Sequence, residues 1–548
     1  MGLSIDPTKI QDIESARQAI LELFNLIEEL QQENVKLRAE NQRLRDENNR
    51  LKGEQGQPDI KPDKKPKSKN YSSEHERKKD KARRKKRKNN RLRIDREQIV
   101  PIDKGQLPAD AQFKGYEAVV VQDIKIKSDN IRFLKEKYYS ASEKQSYLAE
   151  LPAGYQGQFG PGVRALVLTQ YYACGMTEPK IKDFLEYFEV YVSAGQISNW
   201  LIHNHEQWHQ EKDEIYQAGL NSSRWQHIDE TGTRVDGVNH YCHIVCNPLY
   251  TAYFTRPRKD RLTAIKLLQA RADAQFLFND QTQHWLQQFK VHQWIRRRVA
   301  LWPQDVLVSQ DELESWVEAY FEPGQLMPEF RARIFEAAAL SAYYQQTPTS
   351  KMPILVSDDA TQFQHITPDQ SLCWVHEGRH YKKLSPIVIY HHHLLADFIK
   401  DFWNFYRQLQ RYRASPSVAK AQHLSDQFDV LFSAQTGYDQ LDKRIAKTKA
   451  KKERLLKVLE CPQLPLHNNP AELGARQRVF KRHISYGPRT QAGLAAWDTF
   501  MTLAATAKKL GVSFFCYIHD RIAEVFALPN LADLIRHRSP ASHPVSAA

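Results

Sequence analysis

Asn468-Asn469-Pro470-Ala471-Glu472 opens a helix and sets a carboxylate in its first turn, with Arg476, Arg478, Lys481 and Arg482 following. Two other carboxylates fall at the ends of predicted strands far upstream. They are Asp229 in Trp225-Gln-His-Ile-Asp229-Glu-Thr-Gly232, and Asp358 in Ile354-Leu-Val-Ser-Asp358-Asp359. Neighbouring strands in one sheet would place Asp229 and Asp358 side by side, and a helix packed on that sheet would supply Glu472. Hard Mg²⁺ prefers oxygen ligands and retains waters, so three carboxylates without His or Cys suffice to hold it. Two-metal phosphoryl transfer uses such a set around ions roughly 3.5–4 Å apart. The basic residues beside Glu472 suit a phosphate substrate, and together the features point to DNA strand transfer.

Each acid also has a plainer reading. Asp229 could cap the turn at Glu230-Thr-Gly. Asn469 as N-cap, Pro470 at the first helical position and Glu472 three residues on form a capping-box arrangement, with Arg476 as the i+4 partner of Glu472. The two roles place opposite demands on Glu472, because a carboxylate bound to its own N-cap amide is less free to hold a metal. Arg476, Arg478, Lys481 and Arg482 could equally form a solvated helix face.

The 548 residues allow several domains, and no run of 18 or more apolar residues suggests a membrane span. No export signal is evident, so cytoplasm is the expectation. The six cysteines (174, 242, 246, 373, 461 and 516) contain no CxxC pair, which argues against a disulfide framework or a zinc finger. Net charge is +14; residues 61–93 hold 17 Lys+Arg against four acids, a local +13, so the other residues are almost neutral. This arm, including Lys85, Lys86 and Arg87, has the composition of a disordered segment that binds DNA phosphates without reading sequence.

Leucines recur every seven residues at Leu23, Leu30, Leu37, Leu44 and Leu51. With these at d, Ile20, Ile27, Asn34, Asn41 and Asn48 occupy a, Glu33, Glu40 and Glu47 occupy g, and Arg38, Arg45 and Lys52 occupy e. That pattern predicts a parallel homodimeric coiled coil, with buried Asn fixing register. The competing reading is a single amphipathic helix folded onto the body.

Alternation over 116–150 predicts a small antiparallel β unit. Helices expected at Val163–Ala173, Glu178–Tyr187 and Ser193–His203 suit a helix-turn-helix, with Gln196, Ser198 and Asn199 available to a major groove. Strands are predicted at Trp225–Asp229, Tyr241–Val245, Thr251–Phe254 and Pro353–Ser357, with a helix near Arg261–Ala270. Cys373-Trp-Val-His376 has a metal-like spacing, but two ligands do not make a zinc site, and a structural role is favoured. His391-His-His393 reads as a polar helix start.

Together these segments resemble the insertion sequence 66 family of bacterial DDE transposases. The matching blocks are Asp229-Glu-Thr-Gly with Arg234-Val-Asp-Gly, Val356-Ser-Asp358, Leu372-Cys-Trp-Val-His376, Asn468-Asn-Pro-Ala-Glu472, and Gly160-Pro-Gly-Val-Arg-Ala-Leu. The resemblance spans about 155–510. It implies an α+β multidomain protein whose RNase H-like mixed-sheet core holds Asp229, Asp358 and Glu472 as catalytic metal ligands for two Mg²⁺, with Mn²⁺ able to substitute. The implied partners are double-stranded DNA, as terminal repeats and target, and accessory proteins of the element, without a membrane; the setting is the bacterial cytoplasm and nucleoid. The alternatives are an inactive DNA-binding regulator and an RNase H-like nuclease. The sequence departs from the family in three ways: residues 95–155 lack cysteines, so no zinc is expected there; Asp359 replaces the usual Gly; and 271–352 is long. The expected domains are a coiled coil (8–55), a basic arm (56–98), a β unit (99–155) and a helix-turn-helix region (156–210). A catalytic core (222–512) with helical insertions at about 271–352 and 380–460 follows, then a C-terminal helix and tail (513–548).

Overall fold

The computed structural model describes residues 10, 12–51, 94–103, 107–108, 111–124, 126–155, 157–270, 274–347 and 352–539. Lys85, Lys86, Arg87 and most of the basic arm lie outside these residues. The chain divides into a unit of residues 1–63, 150–181 and 193–548, and a second of 64–149 and 182–192.

The larger unit is built on a five-stranded mixed sheet of β1 (Trp225–Val235), β2 (Val238–Cys246), β3 (Thr251–Arg256), β4 (Ile354–Ser357) and β5 (Gln370–Leu372). The order is β3-β2-β1-β4-β5; β1–β3 form an antiparallel meander, while β4 runs parallel to β1 and β5 parallel to β4. This mixed α+β arrangement is compatible with an RNase H-like core. The first hairpin closes through Asp236-Gly237, both at positive φ (46° and 76°), between the paired Val235 and Val238. A two-residue turn with positive φ matches strand twist, which explains why Asp-Gly forms here.

The helix Asn469–Ser485 lies on this sheet. Small residues let it approach closely: Ala471 and Ala475 pack with Ile244, Tyr253 and Met501, and a Cβ on Gly474 would stand 2.8 Å from Ile244 Cγ2. The helix Gln491–Leu510 seals β3, with Asp498 accepting from the Thr255 amide at 2.6 Å and its hydroxyl at 2.8 Å.

Two helical elaborations attach to the sheet, one within it and one after its last strand. The first, between β3 and β4, carries helices Asp280–Gln288, Gln293–Val299, Gln310–Tyr320 and Pro328–Gln346 around an aromatic core that includes Phe278 and Trp302. The second, after β5, includes helices Trp374–Lys382, Ile389–Ala414, Val418–Leu431 and Asp439–Lys449. Buried Trp374 anchors it, packing on Phe402 and Phe405 and donating its indole N–H to Leu455 O at 2.9 Å.

The N-terminal helix Ile13–Leu51 docks on this second elaboration. Glu28, 1% exposed, accepts from the amides of Ile387 (2.7 Å) and Val388 (2.9 Å), just before the helix Ile389–Ala414, and faces His391 Nδ1 at 3.3 Å. Burial opposes ionisation of Glu28, yet these amides, with Gln32 and His391, hold its pKa below the ordinary glutamate value. The alternative of a helix folded onto the body therefore holds for residues 21–32. His391, expected in a polar helix start, is fully buried and stacked on Tyr438 at 4.2 Å.

Helices form at Pro161–Leu168, Glu178–Glu186 and Ala194–Ile202, the first continuing as a π-helical turn, Thr169–Ala173. In the smaller unit the expected β unit shrinks to one hairpin, Lys137–Ser140 with Gln145–Leu148. Its exposed 118–127 and 131–134 stretches form no ladder among the described residues, because no second apolar surface covers their alternating face. Among the described residues no helix is long and apolar enough to cross a membrane.

Candidate active site

β1 and β4 pair through Trp225↔Ile354 and His227↔Val356, so two residues further along both strands Asp229 stands level with Asp358. The strand-end expectation is corrected for Asp229, which lies in the middle of β1 where that strand runs on beyond its ladder with β4, whereas Asp358 does follow directly on the last residue of β4. Asp358 turns back on itself, its Oδ1 accepting from the Ala360 amide at 3.2 Å. Asp359 points elsewhere: it pairs with Lys451 at 2.6 Å and Arg454 at 3.0 Å. Of the two adjacent acids, only Asp358 is left to the site.

Asn468 brings in the third acid. Its side-chain amide donates to Ile228 O at 2.7 Å, its carbonyl oxygen meets His227 Nδ1 at 3.0 Å, and its backbone N–H donates to Cys373 Sγ at 3.2 Å. One buried residue thus clamps the head of the Glu472 helix to the strand segment preceding Asp229 and to the end of β5. Burial keeps His227 neutral, its pKa down to about 3. Asn468 is also the N-cap, without a side-chain cap bond, so Glu472 is the fourth helical residue and makes no capping box. Its carboxylate turns away from the helix N-terminus: Oε2 accepts from Arg379 at 3.1 Å, and buried Oε1 lies 3.6 Å from His376 Nδ1 without a hydrogen-bond partner. Arg379 also bonds His376 Nε2 at 3.0 Å, closing a ring of three side chains.

The acids feel one another. Asp229 has its pKa pushed up to about 7, first by burial and further by the charges of Asp358, Glu472 and Glu230, while the Glu230 amide opposes the shift. Glu230, raised by burial, accepts from Gln362 at 2.7 Å and lies 3.7 Å from Lys259. The charges of Asp358 and Glu472 on Asp229 and the buried unpartnered Glu472 oxygen fit a hard divalent cation, although among the described residues the ligand atoms within 4.8 Å of one another belong to Cys373, His376 and Glu472. A bound cation would relieve the repulsion that raises Asp229.

The basic residues after Glu472 divide by helix face. Arg478 is fully buried, ion-paired with Asp498 at 3.4 Å and stacked on Trp497 at 4.7 Å. Lys481 is 4% exposed, donates to Tyr171 O at 2.7 Å and sits over the Tyr171 ring at 3.0 Å; burial pushes its pKa down to about 7. The expectation that these two reach DNA is corrected, because they share the sheet-facing stripe of Ala471, Gly474 and Ala475. Arg476 is exposed, whereas Arg482 is half-buried and donates to Gly232 O. In the helix Ala194–Ile202, Ser193 caps Gln196; Gln196 and Ser198 are half-buried, Ser198 bonds Glu178, and Asn199 is exposed. Sequence reasoning missed Arg379, His376 and Asn468. His376 had a signal in its i+3 spacing from Cys373, which sits buried at the end of β5.

The family model for "Transposase IS66 family" matches residues 156–284 and 338–496, more than half of the chain. The chain belongs to that family. The matched segments contain Asp229, Asp358, Arg379, Asn468 and Glu472, whereas 285–337 falls between them. An uncharacterized protein, y4jO, of Sinorhizobium fredii is 29% identical over 306 residues, 56% of this chain and 94% of that protein.

Proposed function

We propose that this transposase-family chain cleaves and joins the ends of its own insertion element, with Asp229, Asp358 and Glu472 as ligands for two Mg²⁺, replaceable by Mn²⁺. The observation that carries the reading is that the charges of Asp358 and Glu472 both reach buried Asp229, at the point where the β1–β4 register runs out toward Asp358, with Glu472 tied to β1 through Asn468. When bound, the ions would activate the attacking oxygen and offset charge on the leaving oxygen. The chain's own part is positioning. Asn468 fixes the helix to β1, and Arg379 with His376 orients the Glu472 carboxylate. Exposed Arg476 and Lys259 are available to DNA phosphates, which position a duplex without specifying sequence. Gln196 and Asn199 on the third helix of an expected helix-turn-helix, with Lys85, Lys86 and Arg87 of the arm, would hold the terminal repeats. The setting is the bacterial cytoplasm, at the nucleoid.

The test incubates the purified chain with terminal-repeat DNA, Mg²⁺ and a target plasmid. Joined products support the proposal. Cleavage alone would indicate a nuclease, and binding alone a DNA-binding regulator. Asp229→Asn, Asp358→Asn and Glu472→Gln should each abolish product while leaving DNA binding intact; full activity in any one removes that residue from the metal set.

A further inference from the structure

The N-terminal helix has two faces with different fates. The side chains joined to the body are Leu21 against Gly437, Phe24 against Tyr390 and His391, Asn25 donating to Gly437 O at 2.9 Å, Glu28 on the Ile387 and Val388 amides, and Gln32 with Gln440 at 2.8 Å. In the leucine heptad these are b, e and f positions. The a/d stripe lies on the other side of the helix, and Ile20, Leu23, Ile27, Leu30, Leu37 and Leu44 are 40–56% exposed. Beyond Gln32 the described side chains of the helix are all exposed. A helical stretch of this length with no packed face is marginal in water, so the projecting half needs a partner.

We propose that the exposed a/d seam takes the same helix of a second copy, parallel and in register, while the opposite face stays bonded to each copy's own body. Charge selects this occupant and its direction. In a parallel pair the g residues Glu33, Glu40 and Glu47 meet Arg38, Arg45 and Lys52 at e of the partner. An antiparallel pair would set glutamates against glutamates and bases against bases. The buried Glu28 contact makes each body part of the zipper's support rather than a load on a loose tether. The inference is independent of the catalytic reading.

The full chain is measured by light scattering across a concentration series, beside a Leu30→Asp/Leu37→Asp variant. The wild type is expected at two chains, and the variant at one with an unchanged melting profile for the body, its dissociation constant raised at least about 100-fold. Direction is read by disulfide trapping after Cys174 and Cys516, the exposed cysteines, are changed to Ser. In that background Asn34→Cys is expected to give a linked dimer on oxidation, whereas Ala39→Cys at f is not. A single-chain wild type, a three-chain mass, a double variant that still dimerises, or a dimer that Asn34→Cys fails to trap overturns the proposal.

Discussion

Glu28 and Glu472 both stand beside the first turn of a helix, yet their carboxylates have opposite surroundings. Glu28 lies outside the helix it serves and fills the amides of Ile387 and Val388. Glu472 lies inside its own helix and leaves that N-terminus uncapped, turning to Arg379 and keeping one oxygen unpartnered. A carboxylate with its acceptors filled stabilises a fold; one with an acceptor left open is available for chemistry. Helix-start position alone does not distinguish the two.

The sharpest way to break this contrast is Glu472→Gln. Strand cleavage should fall at least roughly 1,000-fold, about 4 kcal/mol in barrier, with a melting temperature close to wild type. A large loss of stability would make Glu472 a structural residue after all. Glu28→Ala should do the reverse, lowering stability by about 2–3 kcal/mol in denaturant titrations because two buried amides and His391 lose their acceptor. Cleavage should survive in the folded fraction.

Gly474→Ala probes the closeness of the helix to the sheet. The new Cβ at 2.8 Å from Ile244 should push the helix away, costing about 1–3 kcal/mol and lowering activity by shifting Glu472. Normal activity and stability would show that the helix can yield there.

Acid responses separate the two regions further. Glu28 has a depressed folded pKa, so its stabilisation is present above the unfolded value near 4.5 and is lost as pH falls through the folded value. Asp229 is raised from 3.8 to about 7, so its contribution becomes unfavourable as pH rises from the lower value toward the upper. If Asp229 holds Mg²⁺ as proposed, the ion has to displace that proton, and the Mg²⁺ needed for half-maximal cleavage should fall as pH rises through about 7, then level off. A flat dependence from pH 6 to 8 would place Asp229 outside the metal set. The smallest effect belongs to Asp359→Asn, which weakens the contacts to Lys451, Arg454 and Gln364 and should change cleavage by less than about tenfold.

Much of the core was legible because β1–β3 are rich in β-branched and aromatic residues, with Gly237 and Asn247-Pro248 marking the turns between them. β5 was not, since Gln370-Ser-Leu372 is three residues long with two buried polar side chains and has no period to detect. The inward turn of Arg478 and Lys481 was written in the i, i+3, i+4 stripe from Ala471; their charge masked it. Asn468 carried no local sign of its role, because its partner Ile228 lies 240 residues away. Glu28 was hidden for a related reason: a heptad treats its position as solvent-facing, and the amides it serves are 359 and 360 residues distant.

The distance spanned by Asn468 has a consequence for biosynthesis. Contacts between remote segments close late, and chains emerge N-terminus first. A nascent chain would therefore display its N-terminal helix and basic arm well before residue 468 could reach β1. A product truncated before that point would carry Asp229 and Asp358 but neither the clamp nor the third acid. On the proposed reading, the host genome would then meet a chain able to hold DNA long before one able to cut it.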